Sequence, residues 1–303
     1  MAFRLGTRGS PLALAQAAMV REALAAAHGW AAEQVELVVI RTTGDRVQDR
    51  ALAEIGGKAL WTKELDRALL ADEVDACVHS MKDVETLRPD GIVIAATLPR
   101  ADVRDRLIGA ESIEALPPGA VVGTSSPRRQ AQLLRRRPDL RVVLFRGNVD
   151  TRLAKLAARQ VDATLLAAAG LDRLGRGNVG TAIPLDVMLP APAQGAVGVE
   201  VRADDAEARA AVSVIDHAPT HTCVDAERAL LAALGADCRS PVAALARWDG
   251  GALSLQAELL AQDGAACVTG GVAGEMGDGL GEELAADLLA RAPAQVRRLF
   301  GRR

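Results

Sequence analysis

The sequence predicts an α/β protein with two similar lobes and a smaller third domain of the α+β class. First, short apolar runs alternate with helical patterns through the first 200 residues, an alternation typical of α/β folds. Second, several short motifs occur twice in the same order, which indicates two related lobes. Third, the pattern beyond His217 changes to a helix, three strand-like segments and a final helix. That order predicts the smaller α+β domain.

The strands of the lobes are predicted from aliphatic and β-branched runs bounded by polar or turn-forming residues. Helices are predicted over Pro11–Ala27 and Trp61–Ala71, because apolar residues recur there every three or four positions. The predicted strands are Val35–Ile40, Val74–Val78, Ile92–Ala95, Ala120–Val122, Arg141–Leu144 and Val161–Leu166.

The repeated motifs pair the first part of the chain with the second. The pairs are Gly6–Pro11 with Gly123–Pro127, Thr43–Arg46 with Arg146–Val149, and Val74–Ala76 with Val161–Ala163. Parallel α/β sheets bind ligands beyond the carboxyl ends of their strands, so the loops with these motifs are expected to face each other across one cleft. The alternative is that such short motifs are common in an alanine-rich chain, and the residues alone leave it open.

Proline-containing stretches around Pro99 and over 183–192 mark the expected crossings between the lobes. We therefore predict a discontinuous first lobe formed by residues 1–98 and 196–216, with the strand-like run Ala196–Val201 returning to it. The second lobe is predicted to span residues 102–190, and the third domain residues 218–303. The third domain is built from the predicted helix Thr222–Leu234, the strands Val242–Arg247, Leu253–Ala261 and Ala265–Val272, and a final helix near Gly281–Ala292.

Composition excludes several classes of protein. The chain has 303 residues, of which 50% are hydrophobic, and carries a net charge of -3. It has neither an apolar run of the roughly 18 residues that a membrane span needs nor an N-terminal signal-peptide pattern, so we expect a cytoplasmic protein without membrane contact. Its four cysteines are widely spaced and form no C-x-x-C pair, which argues against a disulfide framework or a zinc site.

Two helix starts have the same Ser-Pro form, at Ser10 and at Ser126. Serine caps a helix and proline suits its first turn. The free N–H groups at such a start attract anions, and Arg8 and the Arg128-Arg129 pair lie close to them in sequence. The residues fit an anion site and simple capping equally well.

Eight arginines are concentrated between residues 128 and 152, which raises nucleic acid as an alternative ligand. The overall acidic charge and the 2% aromatic content argue against it. Arg135–Arg137 precede Pro138 and are expected at the surface. Four arginines fall in predicted strand-end loops or first helical turns, where guanidinium groups can bind carboxylates in pairs; they are Arg128, Arg129, Arg146 and Arg152.

Two further positions bear chemically useful side chains. Asp83 follows an apolar strand and stands beside Lys82, so its carboxylate could stabilise a cation or exchange a proton, or could only cap the following turn. Cys238 lies in a turn-rich loop where Arg239 would favour the thiolate and Asp237 would oppose it. Cys77 is expected in the core. His79 is expected to be a hydrogen-bonded loop histidine rather than a metal ligand.

Taken together, several motifs closely resemble the hydroxymethylbilane synthase family, also called the porphobilinogen deaminase family. The resemblance covers residue 4 to about residue 246, and the remaining residues match only in general pattern. The matching stretches are Thr7–Ala13, Gly56–Lys58, Val78–Asp83, Gly123–Arg129, Arg146–Leu153, Ala169–Leu174, Pro192–Ala196, and Ala226–Arg228 with Cys238 behind it.

The resemblance implies two lobes like those of type II periplasmic binding proteins and a third domain that carries a cysteine. It implies that Cys238 holds a dipyrromethane cofactor through a thioether. Four porphobilinogen molecules would be added one at a time with loss of ammonia through azafulvene-type cations, and the linear tetrapyrrole would then be released by hydrolysis. Asp83 would be the catalytic carboxylate. The resemblance also leads us to expect a monomer.

The family's binding positions fall on cationic and polar residues, as a substrate with an acetate and a propionate on every pyrrole requires. The implied cofactor- and substrate-binding residues are Arg8, Ser10, Gln16, Lys58, Ser80, Lys82, Thr124, Ser126, Arg128, Arg129, Arg146, Arg152 and Arg173. No metal is implied. The chain departs from the usual family pattern at Glu54, Trp61, Glu85, Ala193 and Asp237.

Two other functions stay open at this point. One is a two-lobed protein that closes on a carboxylate ligand without chemistry, although the cysteine-bearing third domain argues against it. The other is a nucleic-acid binder that uses the arginine-rich segment, which strongly salt-dependent duplex binding would reveal.

Overall fold

The computed structural model describes residues 2–42, 62–275, 277 and 279–301. In the described parts of the chain, the strands form two five-stranded sheets and one three-stranded sheet. The strands are β1 (Phe3–Arg8), β2 (Val35–Ile40), β3 (Ala76–Ser80), β4 (Ile92–Thr97), β5 (Asp105–Ile108), β6 (Val121–Gly123), β7 (Arg141–Val143), β8 (Ala163–Ala167), β9 (Thr181–Ala182), β10 (Val197–Arg202), β11 (Val242–Trp248), β12 (Leu253–Leu260) and β13 (Cys267–Gly274).

The α-helices pack beside these sheets, and two short 3-10 helices, Ala32–Gln34 and Met81–Asp83, precede and follow strands. The α-helices of the described residues are α1 (Pro11–His28), α2 (Lys63–Leu70), α3 (Pro127–Arg136), α4 (Val149–Ala157), α5 (Ala168–Arg173), α6 (Ala206–Ser213), α7 (Ala218–Leu234), α8 (Leu280–Arg291) and α9 (Ala294–Arg297).

The chain divides into two compact units. One unit consists of Met1–Ala101 and Gly195–His221, and the other of Asp102–Gln194 and Thr222–Arg303. The first unit contains one five-stranded sheet, and the second contains the other five-stranded sheet together with the three-stranded one. The three-domain boundaries given above stay a prediction.

The sheet of the first unit has the order β2-β1-β3-β10-β4. Strand β1 pairs in parallel with β2 and β3, whereas β10 runs antiparallel to both β3 and β4. The strand-like run after residue 195 therefore lies between β3 and β4 in this sheet. Its register places Glu200 opposite Cys77 and Gly198 opposite His79.

The other five-stranded sheet repeats this plan with the order β7-β6-β8-β5-β9. Strand β6 is parallel to β7 and β8, and β5 is antiparallel to β8 and β9. Both sheets are thus mixed rather than wholly parallel, because one strand in each runs against its neighbours. The shared order agrees with the internal repeat found in the sequence.

The third sheet is an antiparallel meander, β11-β12-β13. Its apolar face packs against α7 and α8, so that Leu230, Leu255 and Leu288 are fully buried. Burial of one such leucine contributes about 1.5–3 kcal/mol to the free energy of unfolding. Two α/β lobes and a smaller α+β domain are the fold class expected from the sequence, which is confirmed.

Local sequence explains where the first long helix begins and ends. Ser10 caps α1 by accepting a hydrogen bond from the Ala13 N–H at 3.3 Å, and Pro11 occupies the first turn. The helix stops at Gly29, whose φ of 66° lies in the left-handed region that glycine adopts without strain. Among the described residues, no helix is long and apolar enough to cross a membrane.

Candidate active site

In the first unit, the candidate residues gather at the carboxyl ends of parallel strands. Arg8 ends β1, and Ser80 ends the neighbouring strand β3. Carboxyl ends of parallel neighbours lie at one edge of a sheet, so the side chains there share an edge where α/β proteins bind ligands. Gln16 of α1 is buried and donates a hydrogen bond from Nε2 to Ser80 Oγ at 2.8 Å. Two of the predicted binding residues are thereby joined.

Asp83 lies in the short 3-10 helix that follows β3. The first residue of that turn, Met81, is 1% exposed, and its N–H donates to the Ala196 carbonyl at 3.1 Å. The Val84 N–H closes the turn on the Met81 carbonyl at 3.2 Å. Lys82 and Asp83 are half-buried, and the Asp83 carboxylate forms no hydrogen bond or ion pair with another described residue. A carboxylate that is held in place and bonds to no other described residue can accept hydrogen bonds from the N–H groups of a ligand.

A buried charge network lies directly behind this turn. His79 was expected in a loop, but β10 pairs with β3 and extends the strand through Ser80, so His79 is a buried strand residue. Its Nε2 lies 3.1 Å from Oε2 of Glu200, which is fully buried on β10. The Arg88 guanidinium reaches the same carboxylate, with Nε 2.8 Å from Oε1. His79 Nε2 is buried at ion-pair distance from Glu200 but forms no hydrogen bond with a described residue, so the expected hydrogen bond is not seen.

The pKa values of this network follow from its burial and its pairing. Burial alone would raise the pKa of Glu200, but His79 and Arg88 outweigh that effect and lower it to about 2. Burial acts to lower the pKa of Arg88, yet the carboxylates of Glu200 and Asp66 raise it above its ordinary value. Glu200 and Arg88 therefore stay ionised around neutral pH.

In the second unit, the predicted residues again follow parallel strands. Thr124 comes after β6 and is buried, and its Oγ1 accepts a hydrogen bond from the Ser126 N–H at 3.1 Å. Ser126 caps α3 by accepting from the Arg129 N–H at 3.4 Å. The helix start predicted from the Ser-Pro motif is confirmed, with a cap like that of α1.

Arg128 and Arg129 share one buried acid, Asp105 of β5. Arg128 Nη2 donates to Oδ2 at 2.8 Å, and Arg129 Nη2 donates to Oδ1 at 2.7 Å. Gln194 adds a third donor to Asp105 at 2.8 Å. Burial would raise the pKa of Asp105, but the two guanidinium groups hold it below its ordinary range. Two cations against one anion leave a net positive charge for a ligand.

The other arginines of this unit differ in their surroundings. Arg146 is 7% exposed. Arg152, in the first turn of α4, donates from Nε to the Gly147 carbonyl at 3.0 Å and from Nη2 to Ser125 Oγ at 3.4 Å. Arg173 is the last residue of α5, and burial lowers its pKa. Guanidinium groups in buried surroundings bind carboxylates more strongly than exposed ones do.

All four cysteines are free, and Cys238 is the exposed one. It lies after α7, where Arg239 pairs with Asp237 at 2.7 Å. That hydrogen-bonded pairing raises the pKa of Arg239. Cys77 is 1% exposed, as expected for the core, and burial raises the pKa of its thiol. An exposed thiol on a loop is open to covalent modification.

Lys58, the remaining predicted contact, lies outside the described residues, as do Glu54 and Trp61. Among the described side chains, no group of three or more His, Cys, Asp or Glu could hold a metal ion.

Sequence reasoning missed two acids, Asp105 and Glu200. Glu200 stands between Val199 and Val201 in β10, whereas Asp105 begins β5 between two arginines, and each acid is at most 1% exposed. Acids are almost never fully buried without a partner. The position of Glu200 in an apolar run is therefore the signal that could have pointed to a buried cation, and Asp105 has no such signal.

The comparisons with known proteins agree on one family. The family model described as "Porphobilinogen deaminase, dipyromethane cofactor binding domain" matches residues 3–210, and "Porphobilinogen deaminase, C-terminal domain" matches residues 221–290. A porphobilinogen deaminase of Sphingopyxis alaskensis is 58% identical over 304 residues, which cover 98% of this chain and 96% of that protein. One from Paracoccus denitrificans is 53% identical, over 96% of this chain and 95% of the relative.

The solved structure of a nutrient binding protein from Burkholderia cenocepacia bound to methionine is also similar. It is 15% identical, covers 71% of this chain and 91% of that chain, and has a TM-score of 0.42.

Proposed function

Because this chain belongs to the porphobilinogen deaminase family, we propose that Cys238 and Asp83 are the residues through which it performs the family reaction. The protein is a transferase of tetrapyrrole biosynthesis, the hydroxymethylbilane synthase. It condenses four porphobilinogen molecules head to tail on a covalently bound dipyrromethane cofactor, with loss of ammonia, and releases the linear tetrapyrrole hydroxymethylbilane.

The observation that carries the assignment of Cys238 is its exposure. A thioether forms only where a thiol is accessible, and the other three cysteines are buried or half-buried. The charges also fit a ligand with several carboxylates, since the Nε atoms of Arg128 and Arg129 are buried without a hydrogen-bond partner among the described residues. When bound, the dipyrromethane supplies the nucleophilic pyrrole carbon from which the chain grows.

Asp83 is the proposed catalytic residue. Its carboxylate is half-buried on a turn fixed at both ends and forms no hydrogen bond with a described residue, so its oxygens can accept pyrrole N–H groups. A fixed negative charge there stabilises the positive charge that develops as ammonia leaves, and the carboxylate can take up or return a pyrrole proton. The positive charge of Lys82 beside it would offset the negative charge of a substrate carboxylate that enters the site.

The predicted binding residues would hold the carboxylates of the cofactor and of the growing chain. We propose this role for Arg8, Ser10, Gln16, Lys58, Ser80, Lys82, Thr124, Ser126, Arg128, Arg129, Arg146, Arg152 and Arg173. Each charge-assisted hydrogen bond contributes about 1.5–3 kcal/mol to such binding.

The intact mass of the purified protein tests the proposal. Wild type should exceed the mass of its polypeptide by two linked pyrrole units, and Cys238→Ser should not. Cys267→Ser is the matched control, because Cys267 is half-buried in β13, and it should keep the adduct. An adduct that survives Cys238→Ser, or a wild type that weighs only its polypeptide after incubation with porphobilinogen, would refute the assignment.

We also propose that the protein is a cytoplasmic monomer without a nucleic-acid partner. Much of the arginine-rich segment bonds to the protein itself, since Arg136 donates to the Val187 carbonyl at 2.9 Å and Arg137 to the Leu116 carbonyl at 3.0 Å. Light scattering of the eluted protein should give the mass of one chain. Duplex binding that weakens steeply with salt would support the nucleic-acid alternative instead.

A further inference from the structure

One buried carboxylate holds both ends of the segment that carries Asp83. Glu200 Oε2 lies 3.1 Å from His79 Nε2, four residues before Asp83, and Arg88 binds the same carboxylate five residues after it. Arg88 forms two bonds, from Nε to Oε1 and from Nη2 to Oε2, each 2.8 Å long. Residues 79–88 are therefore tied at both ends to one point on β10.

Arg88 also ties this segment to the rest of the unit. Its Nη1 donates to Glu85 Oε2 at 2.7 Å, and its Nη2 donates to Asp66 Oδ1 of α2 at 2.5 Å. Thr62 donates to the same Glu85 oxygen at 2.7 Å. All three nitrogens of the guanidinium are engaged, and its side chain is only 8% exposed.

The middle of the segment is also fixed to β10. Met81 packs against Gly198 so closely that a Cβ on that glycine would overlap its thioether, with Cγ only 2.9 Å away. This packing and the Arg88–Glu200 bonds both hold the segment against β10. A shift of about 1 Å in a reacting group can lower a rate about 100-fold.

A buried ion pair can also be only structural, and many such pairs add little to stability. What distinguishes this one is that the two side chains that approach Glu200 flank the turn in sequence. Arg202 is the natural comparison, because it lies on the same strand and bonds to Leu69 O, Val74 O and Asp205 without touching residues 79–88.

We propose that Arg88 and Glu200 are positioning residues that hold the Asp83 turn in its catalytic geometry, an inference that rests on the proposed role of Asp83. The geometry carries it, since one fully buried acid is hydrogen-bonded to Arg88 after that residue and lies 3.1 Å from His79 before it.

The primary experiment compares Arg88→Lys with Arg202→Lys. Both keep a positive charge and lose a forked set of bonds, so both should lower the melting temperature. Steady-state kinetics are measured on protein whose mass shows the pyrrole adduct, so that only folded, loaded enzyme is counted. Arg88→Lys should lower kcat about 10- to 100-fold with little change in KM, and Arg202→Lys should leave kcat within about twofold. Equal kcat in the two variants would overturn the proposal.

Amide hydrogen exchange gives a readout that does not depend on activity. The Met81 and Val84 N–H groups are bonded within or beside the turn, so Arg88→Lys should speed their exchange at least severalfold, and Arg202→Lys should not. His79→Gln removes the contact at the other end and should show the same change more weakly. Unchanged exchange at residues 79–88 in both Arg88→Lys and His79→Gln would contradict the inference.

A double substitution separates this inference from the role of Asp83. If Arg88 acts through Asp83, Arg88→Lys should slow wild type but hardly slow the Asp83→Asn enzyme further. The same slowing in both backgrounds would overturn the positioning role while leaving Asp83 catalytic. Normal turnover by Asp83→Asn alone would refute the proposed role of Asp83, and with it this inference.

Discussion

Arg88 and Glu200 meet through two parallel hydrogen bonds of 2.8 Å, although they are 112 residues apart in the chain. A forked guanidinium–carboxylate pair of this kind is geometrically specific. Here the acid is fully buried and the guanidinium nearly so. The ionisation of Glu200 therefore affects the stability of the whole first unit.

We expect Glu200 to make the protein lose stability in acid. Its pKa falls from 4.5 in the unfolded chain to about 2 in the folded protein, so the stabilisation is fully present above pH 4.5 and is lost as the pH falls towards 2. It amounts to roughly 3 kcal/mol. Urea unfolding between pH 6 and about pH 2.5 measures it.

Glu200→Gln should be less stable at neutral pH but should show a shallower decline in acid than wild type. The exposed Glu36 of β2 offers the control, and Glu36→Gln should follow the wild-type curve. A Glu200→Gln variant with the full wild-type acid dependence would show that another carboxylate is responsible.

Asp83→Asn should keep the pyrrole adduct, or most of it, yet form hydroxymethylbilane about 100- to 10,000-fold more slowly. The amide keeps the size of the side chain but removes the negative charge and the proton acceptor. Product formation by adduct-bearing protein is the measurement. Asp90→Asn changes an exposed acid of the same connection and should be as fast as wild type. Near-normal turnover by Asp83→Asn would reject its catalytic assignment.

Arg146→Leu or Arg152→Leu should stall growth of the chain on the enzyme. Each removes a cation that we propose binds substrate carboxylates, so shorter enzyme-bound intermediates should accumulate. Intact-mass spectra after brief incubation with porphobilinogen measure their distribution. Arg141→Leu, at an exposed position of β7, should give the wild-type pattern. Wild-type patterns in both Arg146→Leu and Arg152→Leu would refute the proposed binding role of these arginines.

Ala193→Gly should stabilise the protein. Ala193 has a φ of 59°, a left-handed conformation that glycine adopts readily and alanine does not. Its N–H is fixed there because it donates to Glu227, at 2.5 Å from Oε2. Relief of the strain should exceed the entropic cost of glycine and add about 0.5–1 kcal/mol.

Thermal unfolding measures this gain. Ala191→Gly, two residues earlier and without a positive φ, should instead lower the melting temperature slightly. If both substitutions lower it equally, the backbone at residue 193 is not strained.

The sequence predicted most elements because their patterns are local. Strand β2 and the start of α1 occur at the predicted residues, since a β-branched run and a Ser-Pro cap are signals contained within a few positions. Strands β1, β5 and β9 were missed. Strand β5 is four residues long and begins with a buried acid, so its pattern is neither alternating nor continuously apolar.

The charge networks could not be predicted in the same way. Asp105 binds arginines 23 and 24 residues away, and Glu200 binds Arg88 across 112 residues. Only the sheet order brings these groups together, because β10 enters between β3 and β4, and β5 pairs with β8. Proximity along the chain placed Arg128 and Arg129 in a helix start, but it could not show the acid between them.

The central place of β10 in its sheet bears on how the protein is made. The strands of the second five-stranded sheet lie within residues 105–182, so that sheet can close once this stretch has left the ribosome. The earlier strands β3 and β4 cannot complete their pairing until β10 has been synthesised, because the strand that joins them begins at Val197. Their edges stay open during translation, and the Asp83 turn gains its buried acid only when residue 200 arrives. The amino-terminal half is thus synthesised first but is completed after the middle of the chain.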